Sequence, residues 1–578
     1  MKNKGELRIL GNLGRLNGSK LHRVKLPLEH INGKEIEING EKVVIKVEFI
    51  RANEVLDIKL KEADIFYNNF DIGVQAWEVG VKLSQYGVKL IEDLDDVFYL
   101  NPENPMFSNF NAGNVKRHLA LADTIIVTND RLKKHVERFT DVREGDDFLP
   151  IHISPNHLPN EGQWEYKPKE FHNGKVRFGI YGSISHLPDW KLLKGMIKIL
   201  GNNKKFANKA KFVLAGCGND VYWKEIKSWF KGLKCEVDYI PVAPADNYMS
   251  LLDHVDVVLA PLVDNEFSWN KSSLKIAECA MRDVFLVGSV PYAGKDLSCG
   301  IAIDPEDWQK WIWSLLENNT WYELGKQFGE KNRNAMNFQQ RIDNLLQAIA
   351  YCYTSEYKEL DNFKIWGITF DENQYTEYIK YDNSNIKTIE QKSYLLEYNP
   401  IIDIVDNKIK DFDGYVGIFS WKFPQKTAIS KRILEKVLKS VDSDVDVIGL
   451  SPQYFNNSYL KISEEKHPGF TEILNLICND LNLKVSEPKN IVYSNFFIAK
   501  KQFYVDFVNT IIKPAIELME TKYKDIVWKD ANYQWGLSGK TLKKYAGLDY
   551  YPFHVFILER LLSIYLENNK QFKFKQLL

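Results

Sequence analysis

The stretch FSWNKSSLKIAECA, at 267–280, gathers side chains that could bind a phosphate group and a sugar diol. The candidate ligand-binding residues in it are Asn270, Lys271, Ser272, Ser273, Lys275 and Glu278. The start of a helix favours an anion, because its free N–H groups and the positive end of its dipole point at the ligand. We therefore expect a diphosphate to contact the lysines and hydroxyl groups, and a ribose to donate hydrogen bonds to Glu278.

The spacing of the charged residues is that of one helix face. A helix that begins near Asn270 places Lys271, Lys275 and Glu278 at positions i, i+4 and i+7, on the same side. The alternative interpretation is a solvated helix face with a weak Lys–Glu pair, which contributes roughly a few tenths of a kcal/mol. The spacing alone is compatible with both interpretations.

A second motif is GIYGSISHLPDW, at 179–190, which begins in a predicted strand. Gly182 would let a ligand approach the backbone closely, because glycine has no side chain. Ser183 and His186 follow in the same turn, before the next predicted helix. A histidine at such a place is also compatible with a local helix cap or a packed side chain.

Three aspartates, Asp93, Asp95 and Asp96, lie at the carboxyl end of the predicted strand in VKLIEDLDD, at 88–96. This end of a strand in a parallel sheet suits groups that exchange protons with a substrate or bind an acceptor. The pair Asp93 and Asp95 also fits a short metal-binding pattern, and turns and helix caps use the same residue type. We favour the acceptor-side role over the cap, and both over the metal.

Alternating strands and helices must position these motifs. Short β-branched runs that alternate with helical segments predict mostly parallel sheets. The predicted strands lie at 6–10, 42–50, 63–70, 88–96 and 123–129, and then at 176–183, 211–216, 235–241, 255–262 and 284–289. A segment rich in Pro, Asn, Gly and charged residues, at 141–175, predicts a linker between two α/β domains. The predicted site would then lie in the cleft between them, at the carboxyl ends of strands.

Composition narrows the classes of protein. The 578 residues include 76 basic and 77 acidic ones, which argues against a broadly basic nucleic-acid-binding protein. Six cysteines without a CxxC motif are typical of a reduced compartment and give no zinc framework. No apolar signal core and no long apolar run is present in the sequence. We expect a cytoplasmic protein, either free or attached to the periphery of a membrane.

The motifs at 179–190 and 255–280 together resemble the donor-binding domain of GT-B glycosyltransferases, in the retaining group called family 4. The segments KLIEDLDDVFYLNPENP, ALADTIIVTNDRL and ISPNHLP are similar to the acceptor-side domain of that group. The resemblance covers roughly residues 1–355 and implies a GT-B fold with two Rossmann-like domains that face a cleft. The implied boundaries are 1–155 for the acceptor-side domain and 170–355 for the donor-binding domain.

The resemblance implies a nucleotide-sugar donor, no required metal in this half of the chain, and retention of configuration at the sugar. It implies that the diphosphate binds near Lys271, Ser272 and Lys275, and that the ribose binds Glu278. The charge that develops on the leaving oxygens would be stabilised by the lysines. The residues implied or predicted to line the donor site are Gly14, Arg15, Gly182, Ser183, His186, Asn270, Ser272, Ser273 and Glu278.

The residues that we predict to be catalytic are Asp95, Asp96, Lys271 and Lys275. The family usually has a glutamate where this chain has Asn270. An asparagine there could hydrogen-bond a sugar hydroxyl but could not carry charge.

Residues 360–578 are predicted to form a third α/β domain. The segments at 490–508 and 550–569 resemble a GT-A-like domain that accompanies capsule and lipopolysaccharide glycosyltransferases. The resemblance implies either a second glycosyltransferase or an acceptor-binding module.

Two carboxylate motifs of this third domain have more than one interpretation. Asp444 and Asp446 could hold a divalent metal, although VDVIGL also has the pattern of a buried strand with Asp446 at its start. Glu559 and Arg560 lie in an apolar helix, where a buried ion pair is favoured over contact with a ligand.

The sequence predicts a glycosyltransferase that moves a sugar from a nucleotide donor to a glycan or lipid-linked acceptor, for envelope polysaccharide. One alternative is a phage-type glycosyltransferase that acts on a modified DNA base. The lysines of NNKKFANKAK, at 202–211, favour a DNA partner, and the neutral net charge opposes it. The other alternative is a catalytically inactive carbohydrate-binding or scaffolding protein, for which Asn270 is the main argument.

Overall fold

In the computed structural model the chain forms three sheets with helices packed on them. The structure describes residues 5–14, 16–51, 56–69, 83, 86–97, 100, 119, 122–140, 150–354, 361–378, 385–389, 392–427, 429, 431, 434–435, 438, 441, 444–450, 458–533 and 539–576. They group into two units. One holds nearly all of the described residues between 5 and 354, and the other holds those from 361 onward.

The first sheet has seven strands, rich in Ile, Val and Leu. They are β1 (Glu6–Gly14), β2 (Glu35–Ile38), β3 (Glu41–Arg51), β4 (Ile65–Asn68), β5 (Lys89–Leu94), β6 (Thr124–Val127) and β7 (Ile151–Ile153). Their order is β2-β3-β1-β4-β5-β6-β7, and only β2 and β3 pair antiparallel. The strand order reverses direction between β1 and β4, which opens a crevice beyond their carboxyl ends.

The second sheet has six strands, all parallel. They are β8 (Val176–Tyr181), β9 (Ala210–Cys217), β10 (Val237–Pro241), β11 (Val257–Ala260), β12 (Phe285–Ser289) and β13 (Gly300–Ala302). Their order, β10-β9-β8-β11-β12-β13, is the 3-2-1-4-5-6 order of dinucleotide-binding folds. The reversal of strand order lies between β8 and β11, so a ligand crevice is expected at the ends of these two strands.

Helices connect and cover these two sheets. They are α1 (Gly18–Lys20), α2 (Leu26–Ile31), α3 (Leu56–Glu62), α4 (Asp130–Thr140), α5 (Leu187–Trp190), α6 (Lys194–Gly201), α7 (Lys204–Lys209), α8 (Val221–Trp229), α9 (Glu266–Asn270), α10 (Leu274–Ala280), α11 (Pro305–Leu315), α12 (Thr320–Ala335) and α13 (Phe338–Thr354). A π-helical turn, Leu21–Lys25, joins α1 to α2, and 3-10 turns lie at Gly162–Trp164, Ile184–His186, Lys191–Leu193, Ala245–His254 and Val290–Tyr292.

The last helix of this unit, α13, packs on the first sheet although it follows the second sheet in the chain. Its buried residues Ile342, Leu345, Ala348 and Ile349 belong to the same apolar cluster as Ile9 of β1. The half built on the first sheet is therefore not a continuous stretch of sequence, because its wall is completed by a helix that follows the second sheet.

The third sheet lies in the other unit. Its strands are β14 (Phe363–Thr369), β15 (Ile386–Thr388), β16 (Tyr415–Ser420), β17 (Val447–Gly449), β18 (Phe497–Lys500) and β19 (Phe574–Gln576). Their order is β15-β14-β16-β18-β17-β19, and β18 runs antiparallel to both of its neighbours.

The helices of this second unit enclose a separate apolar core. They are α14 (Glu372–Tyr378), α15 (Tyr398–Asp403), α16 (Phe423–Thr427), α17 (Tyr459–Lys466), α18 (Phe470–Asp480), α19 (Lys501–Phe507), α20 (Lys513–Glu520), α21 (Lys524–Val527), α22 (Gly539–Ala546) and α23 (His554–Asn568). Two further π-helical turns lie at Ile404–Lys408 and Val508–Ile512.

The predicted α/β class, with two Rossmann-like sheets followed by a further α/β sheet, is confirmed. The prediction that 141–175 is a linker is wrong in part. Residues 151–153 form β7 of the first sheet, and Trp164 is buried in the core of the second. A composition rich in Pro, Asn and Gly gave no signal for a strand of three residues or for one buried tryptophan.

Candidate functional site

The turn after β8 brings two of the sequence motifs to one edge of the second sheet. Gly182 follows β8 directly with φ of +132°, a conformation that favours glycine. A Cβ atom there would lie 3.5 Å from Lys275 Nζ and 3.4 Å from His186 Cδ2. The Val263 N–H donates a 2.9 Å hydrogen bond to Asp189 Oδ1, which ties the turn to the end of β11. The motif glycine and a motif lysine are therefore neighbours at the point where the strand order reverses.

The predicted helix start near Asn270 is wrong by four residues. Helix α9 ends at Asn270, the backbone at Lys271 is extended (φ −59°, ψ 149°), and α10 begins at Leu274. Two asparagines that follow strands β6 and β7 of the first sheet contact this break. Asn129 Nδ2 donates to Asn270 O at 3.0 Å, and Asn156 Nδ2 donates to Ser272 Oγ at 3.0 Å. Lys271 and Lys275 therefore lie on separate elements and not one turn apart on one helix.

Three lysines converge at this break. Lys275 Nζ donates to Tyr181 O at 3.1 Å, and Lys271 Nζ lies 3.3 Å from Asp96 Oδ2 of the first sheet. Burial, reinforced by the charge of Lys271, lowers the pKa of Lys275 to about 8. Burial, with the charge of Arg131, also lowers the pKa of Lys295 to about 8, and Lys295 Nζ donates to Lys271 O. Within the described part of the chain, Lys275 forms no salt bridge with a carboxylate, so its charge is available to an anionic ligand.

Asp96 faces these lysines from the end of β5. Burial raises its pKa to about 6, and the opposing attraction of Lys271 does not restore the ordinary value of an aspartate. The neighbouring residue is Asp95, whose Oδ1 atom lies 3.4 Å from Asn69 Nδ2. Asp96 is therefore a carboxylate that can gain or lose a proton near neutral pH, next to a cation. A carboxylate with a pKa near the working pH can serve as a general base.

Glu278 is buried at the contact of the two sheets, with 4% of its surface exposed. Its Oε2 accepts a 2.5 Å hydrogen bond from the Tyr181 hydroxyl. Its Oε1 lies 3.4 Å from His22 Nε2, without the alignment of a hydrogen bond. Burial lowers the pKa of His22, so the imidazole beside the carboxylate is neutral. His22 was not predicted, because it lies far from Glu278 in the chain and belongs to no motif.

Three other candidate ligand-binding residues of this stretch, Asn270, Ser272 and Ser273, already have partners in the protein. Ser273 Oγ donates to Asp296 Oδ1 at 2.5 Å, and Asn270 Nδ2 donates to Glu266 O at 2.8 Å. Ser272 Oγ accepts the hydrogen bond from Asn156 described above. The hydrogen bonds of these three side chains hold the segment between α9 and α10 in place, and this segment in turn positions the lysines.

His186 and Ser183 occupy the turn beyond Gly182. His186 Nδ1 is 3.0 Å from Asp189 Oδ2. Burial, reinforced by the charge of Lys275, lowers the pKa of His186 to about 4, so the ring is neutral at pH 7. The Ser183 hydroxyl is 2.5 Å from that of Ser185.

A buried arginine, which the sequence motifs did not reveal, joins the two halves of the site. Arg23 Nε and Nη2 donate to the two oxygens of Asp93 at 2.6 and 3.0 Å. Its Nη1 donates to Ser154 O and to Asn156 Oδ1, both at 2.7 Å. Because Asn156 also donates to Ser272, Arg23 links β5 to the loop before α10. Both carboxylate oxygens of Asp93 thus accept hydrogen bonds from Arg23 or Tyr67, which contradicts the alternative that Asp93 and Asp95 bind a metal together.

Two predicted donor-site residues, Gly14 and Arg15, belong to the first loop. Gly14 ends β1 with φ of +46°, at the crevice edge of the first sheet. Arg15 lies outside the described residues.

In the second unit the predicted metal pair is engaged in ion pairs. Asp446 Oδ1 is 3.0 Å from Lys500 Nζ, and Asp444 pairs with Lys573. Arg560 Nη1 is 3.0 Å from Glu559 Oε2, which is the ion pair predicted for them.

Two further observations concern the described residues only. They contain no group of three or more His, Cys, Asp or Glu side chains placed to hold a metal ion. Every helix among them is too short or too polar to cross a bilayer.

Comparison with known proteins gives structural likeness alone. No protein-family model matches the chain, and no curated protein matches it. HepE of Anabaena, in complex with UDP-glucose, is 12% identical, and the match covers 60% of this chain and 99% of that one with a TM-score of 0.41. A glycosyltransferase from Rickettsia africae is 10% identical, with coverage of 61% and 100% and a TM-score of 0.38. A UDP-N-acetylglucosamine 2-epimerase from Listeria monocytogenes is 11% identical, with coverage of 61% and 98% and a TM-score of 0.38.

Proposed function

We propose that residues 5–354 form a glycosyltransferase that takes a sugar from a nucleoside diphosphate donor. The observation that carries the proposal is the half-buried ammonium group of Lys275. It lies beside Lys271, has no carboxylate partner among the described residues, and faces the strand-order reversal of a 3-2-1-4-5-6 sheet. Two like charges held together out of water are unfavourable, and a diphosphate between them would relieve that cost.

The proposed reaction follows from the groups around the lysines. The bond between the sugar carbon and the diphosphate oxygen breaks, and its electron pair leaves on the diphosphate, where the lysines stabilise the charge. A hydroxyl oxygen of the acceptor forms the new bond to the sugar carbon and gives its proton to Asp96. Asp95 contacts the acceptor from the same strand end. A glycan or lipid-linked acceptor fits this proposal.

In the proposed complex the nucleoside lies toward Glu278. The carboxylate of Glu278 accepts a hydrogen bond from Tyr181 and faces His22. A ribose hydroxyl would therefore compete with His22 for Oε1 of Glu278. An alanine at this position would leave the buried Tyr181 hydroxyl without its acceptor, so Glu278→Gln is the more informative variant.

Titration calorimetry with UDP, GDP, ADP and CMP tests the donor site directly. We expect one diphosphate to bind in the micromolar range. We expect its monophosphate to bind at least about 10-fold more weakly, because a charge-assisted contact with a lysine is lost. Turnover of the matching nucleotide sugar then separates an enzyme from a binding protein. If none of the four nucleotides binds, the cleft is not a donor site.

The proposed base gives a pH prediction. Because burial raises the pKa of Asp96 to about 6, its basic form should be lost as the pH falls through about 6, well above the range of an ordinary aspartate. We expect kcat/KM to decline below that pH. We expect Asp96→Asn to lower kcat by about 10²- to 10⁴-fold and to remove the acid limb of the profile. If the acid limb persists in Asp96→Asn and disappears in Asp95→Asn, Asp95 is the base and the assignment is reversed.

A further inference from the structure

One surface of the second sheet's domain carries a strong local positive charge. Between Asp189 and Asp220 the chain has seven lysines and no acidic residue, although acidic and basic residues are equally frequent in the whole chain. The exposed lysines of this segment are Lys191, Lys194, Lys198, Lys204, Lys205 and Lys209. Lys191 Nζ lies 3.6 Å from Glu225 Oε1, and an exposed pair of this kind is weak.

The charge is organised by a helix. The chain is helical from α5 through the 3-10 turn Lys191–Leu193 into α6. The side of the helix that faces the core of the second sheet consists of Leu193, Met196, Ile197 and Leu200. The opposite side, which we call the lysine face, consists of Lys191, Leu192, Lys194, Lys198 and Ile199.

Two aliphatic side chains on the lysine face are not explained by the core. Leu192 is 51% exposed and Ile199 is 59% exposed. They are seven residues apart, so they lie on the same side of the helix, beside the lysines. Single exposed aliphatic residues are ordinary. A pair aligned along an acid-free lysine stripe offers a membrane surface both an apolar contact and a basic one, the two attractions by which helices bind in a membrane interface.

We propose that the lysine face rests on an anionic membrane surface. Leu192 and Ile199 would enter the boundary between head groups and acyl chains, and the lysines would contact lipid phosphates. A nucleic acid would use the same lysines. It is disfavoured because the large exposed apolar side chains of this face are aliphatic, whereas bases stack on aromatic rings. This proposal is independent of the reaction in the cleft.

Flotation of the full chain with lipid vesicles tests the proposal. We expect binding to vesicles that contain phosphatidylglycerol, little binding to vesicles of phosphatidylcholine alone, and weakening with added salt. Replacing Lys191, Lys194 and Lys198 together by glutamine should weaken binding by about 100-fold, at about fivefold per lysine. Ile199→Glu should weaken it at least about 10-fold, because the aliphatic contact is replaced by a charge that anionic lipid repels.

Ile303→Glu is the matched control, because Ile303 is 75% exposed and lies outside the lysine face. It should bind vesicles as the unaltered chain does. Equal binding of Ile199→Glu and Ile303→Glu, equal binding to both kinds of vesicle, or no binding to either overturns the proposal. Binding to duplex DNA that needs the lysines but not Ile199, without vesicle binding, would assign the face to nucleic acid instead.

Discussion

Lys275→Met should weaken binding of the nucleoside diphosphate by about 10- to 100-fold, the usual effect of losing one charge-assisted hydrogen bond. The folded chain should not lose stability. Burial lowers the pKa of Lys275 to about 8, so the side chain is still mostly an ammonium ion at pH 7, but holding that charge in the folded protein costs stability relative to the unfolded chain. Methionine keeps the length and apolar contacts of the side chain without that cost. Calorimetry and thermal unfolding of the same samples measure the two effects.

Lys326→Met is the control, since Lys326 is exposed on α12 and lies outside the proposed site. It should change neither quantity. The proposal for Lys275 fails if its variant binds the nucleotide as tightly as Lys326→Met does. A variant that loses binding only because it unfolds would show a lowered unfolding temperature, which distinguishes the two causes.

Proton linkage gives an independent check on the same residue. A bound diphosphate should raise the pKa of Lys275 from about 8 toward its ordinary value. The contribution of Lys275 to the proton uptake on binding should therefore be about half a proton at pH 8 and almost none at pH 6.5. Calorimetry in two buffers of different ionisation enthalpy measures this uptake. In Lys275→Met, the part of the uptake that comes from Lys275 should be absent.

Arg23→Met should destabilise the first sheet by about 3–5 kcal/mol, the usual cost of removing one partner of a buried ion pair. The variant leaves the carboxylate of Asp93 buried beside Tyr67 without its cation, and it also removes two contacts with Ser154 and Asn156. Hydrogen exchange of peptides from β1 and β5 in urea measures the change in that part of the chain.

Arg8→Met serves as the matched control, because Arg8 lies in the same sheet and makes an exposed pair with Glu6 at 3.4 Å. Its cost should stay below about 1 kcal/mol. Equal costs for the two variants would show that the Arg23–Asp93 pair contributes no more than a surface contact. Neutralising Asp93 as well should recover part of the loss in Arg23→Met, because the uncompensated charge is then gone.

The strands that were predictable from the sequence are those marked by a pattern of residue types within the strand itself. Val257–Ala260 and Thr124–Val127 are runs of β-branched and apolar residues, and each forms a buried strand where it was predicted. Lys271 and Lys275 were identified by residue type, and both lie near the carboxyl edge of the second sheet, although the single helix predicted to carry them is broken between them.

What the sequence could not give depends on contacts between distant residues. The break at Lys271 is imposed by Asn129 and Asn156, more than a hundred residues away, so the local pattern predicted one continuous helix. Arg23 meets Asp93 and Asn156 only once the first sheet has formed, and nothing in LHRVK distinguishes it from a surface arginine. The small edge strand β7 is too short for any periodicity to be read.

The return of α13 to the first sheet has a consequence for synthesis on the ribosome. Ile342, Leu345 and Ile349 cover an apolar wall of β1 and its neighbours, and Arg341 donates to the backbone carbonyls of His22 and His157. The amino-terminal half therefore leaves the ribosome with this apolar surface of the first sheet exposed to water. The surface stays exposed until the whole second sheet and α13 have been translated. We expect its nascent form to be a client of chaperones, and release from them to follow translation past Thr354.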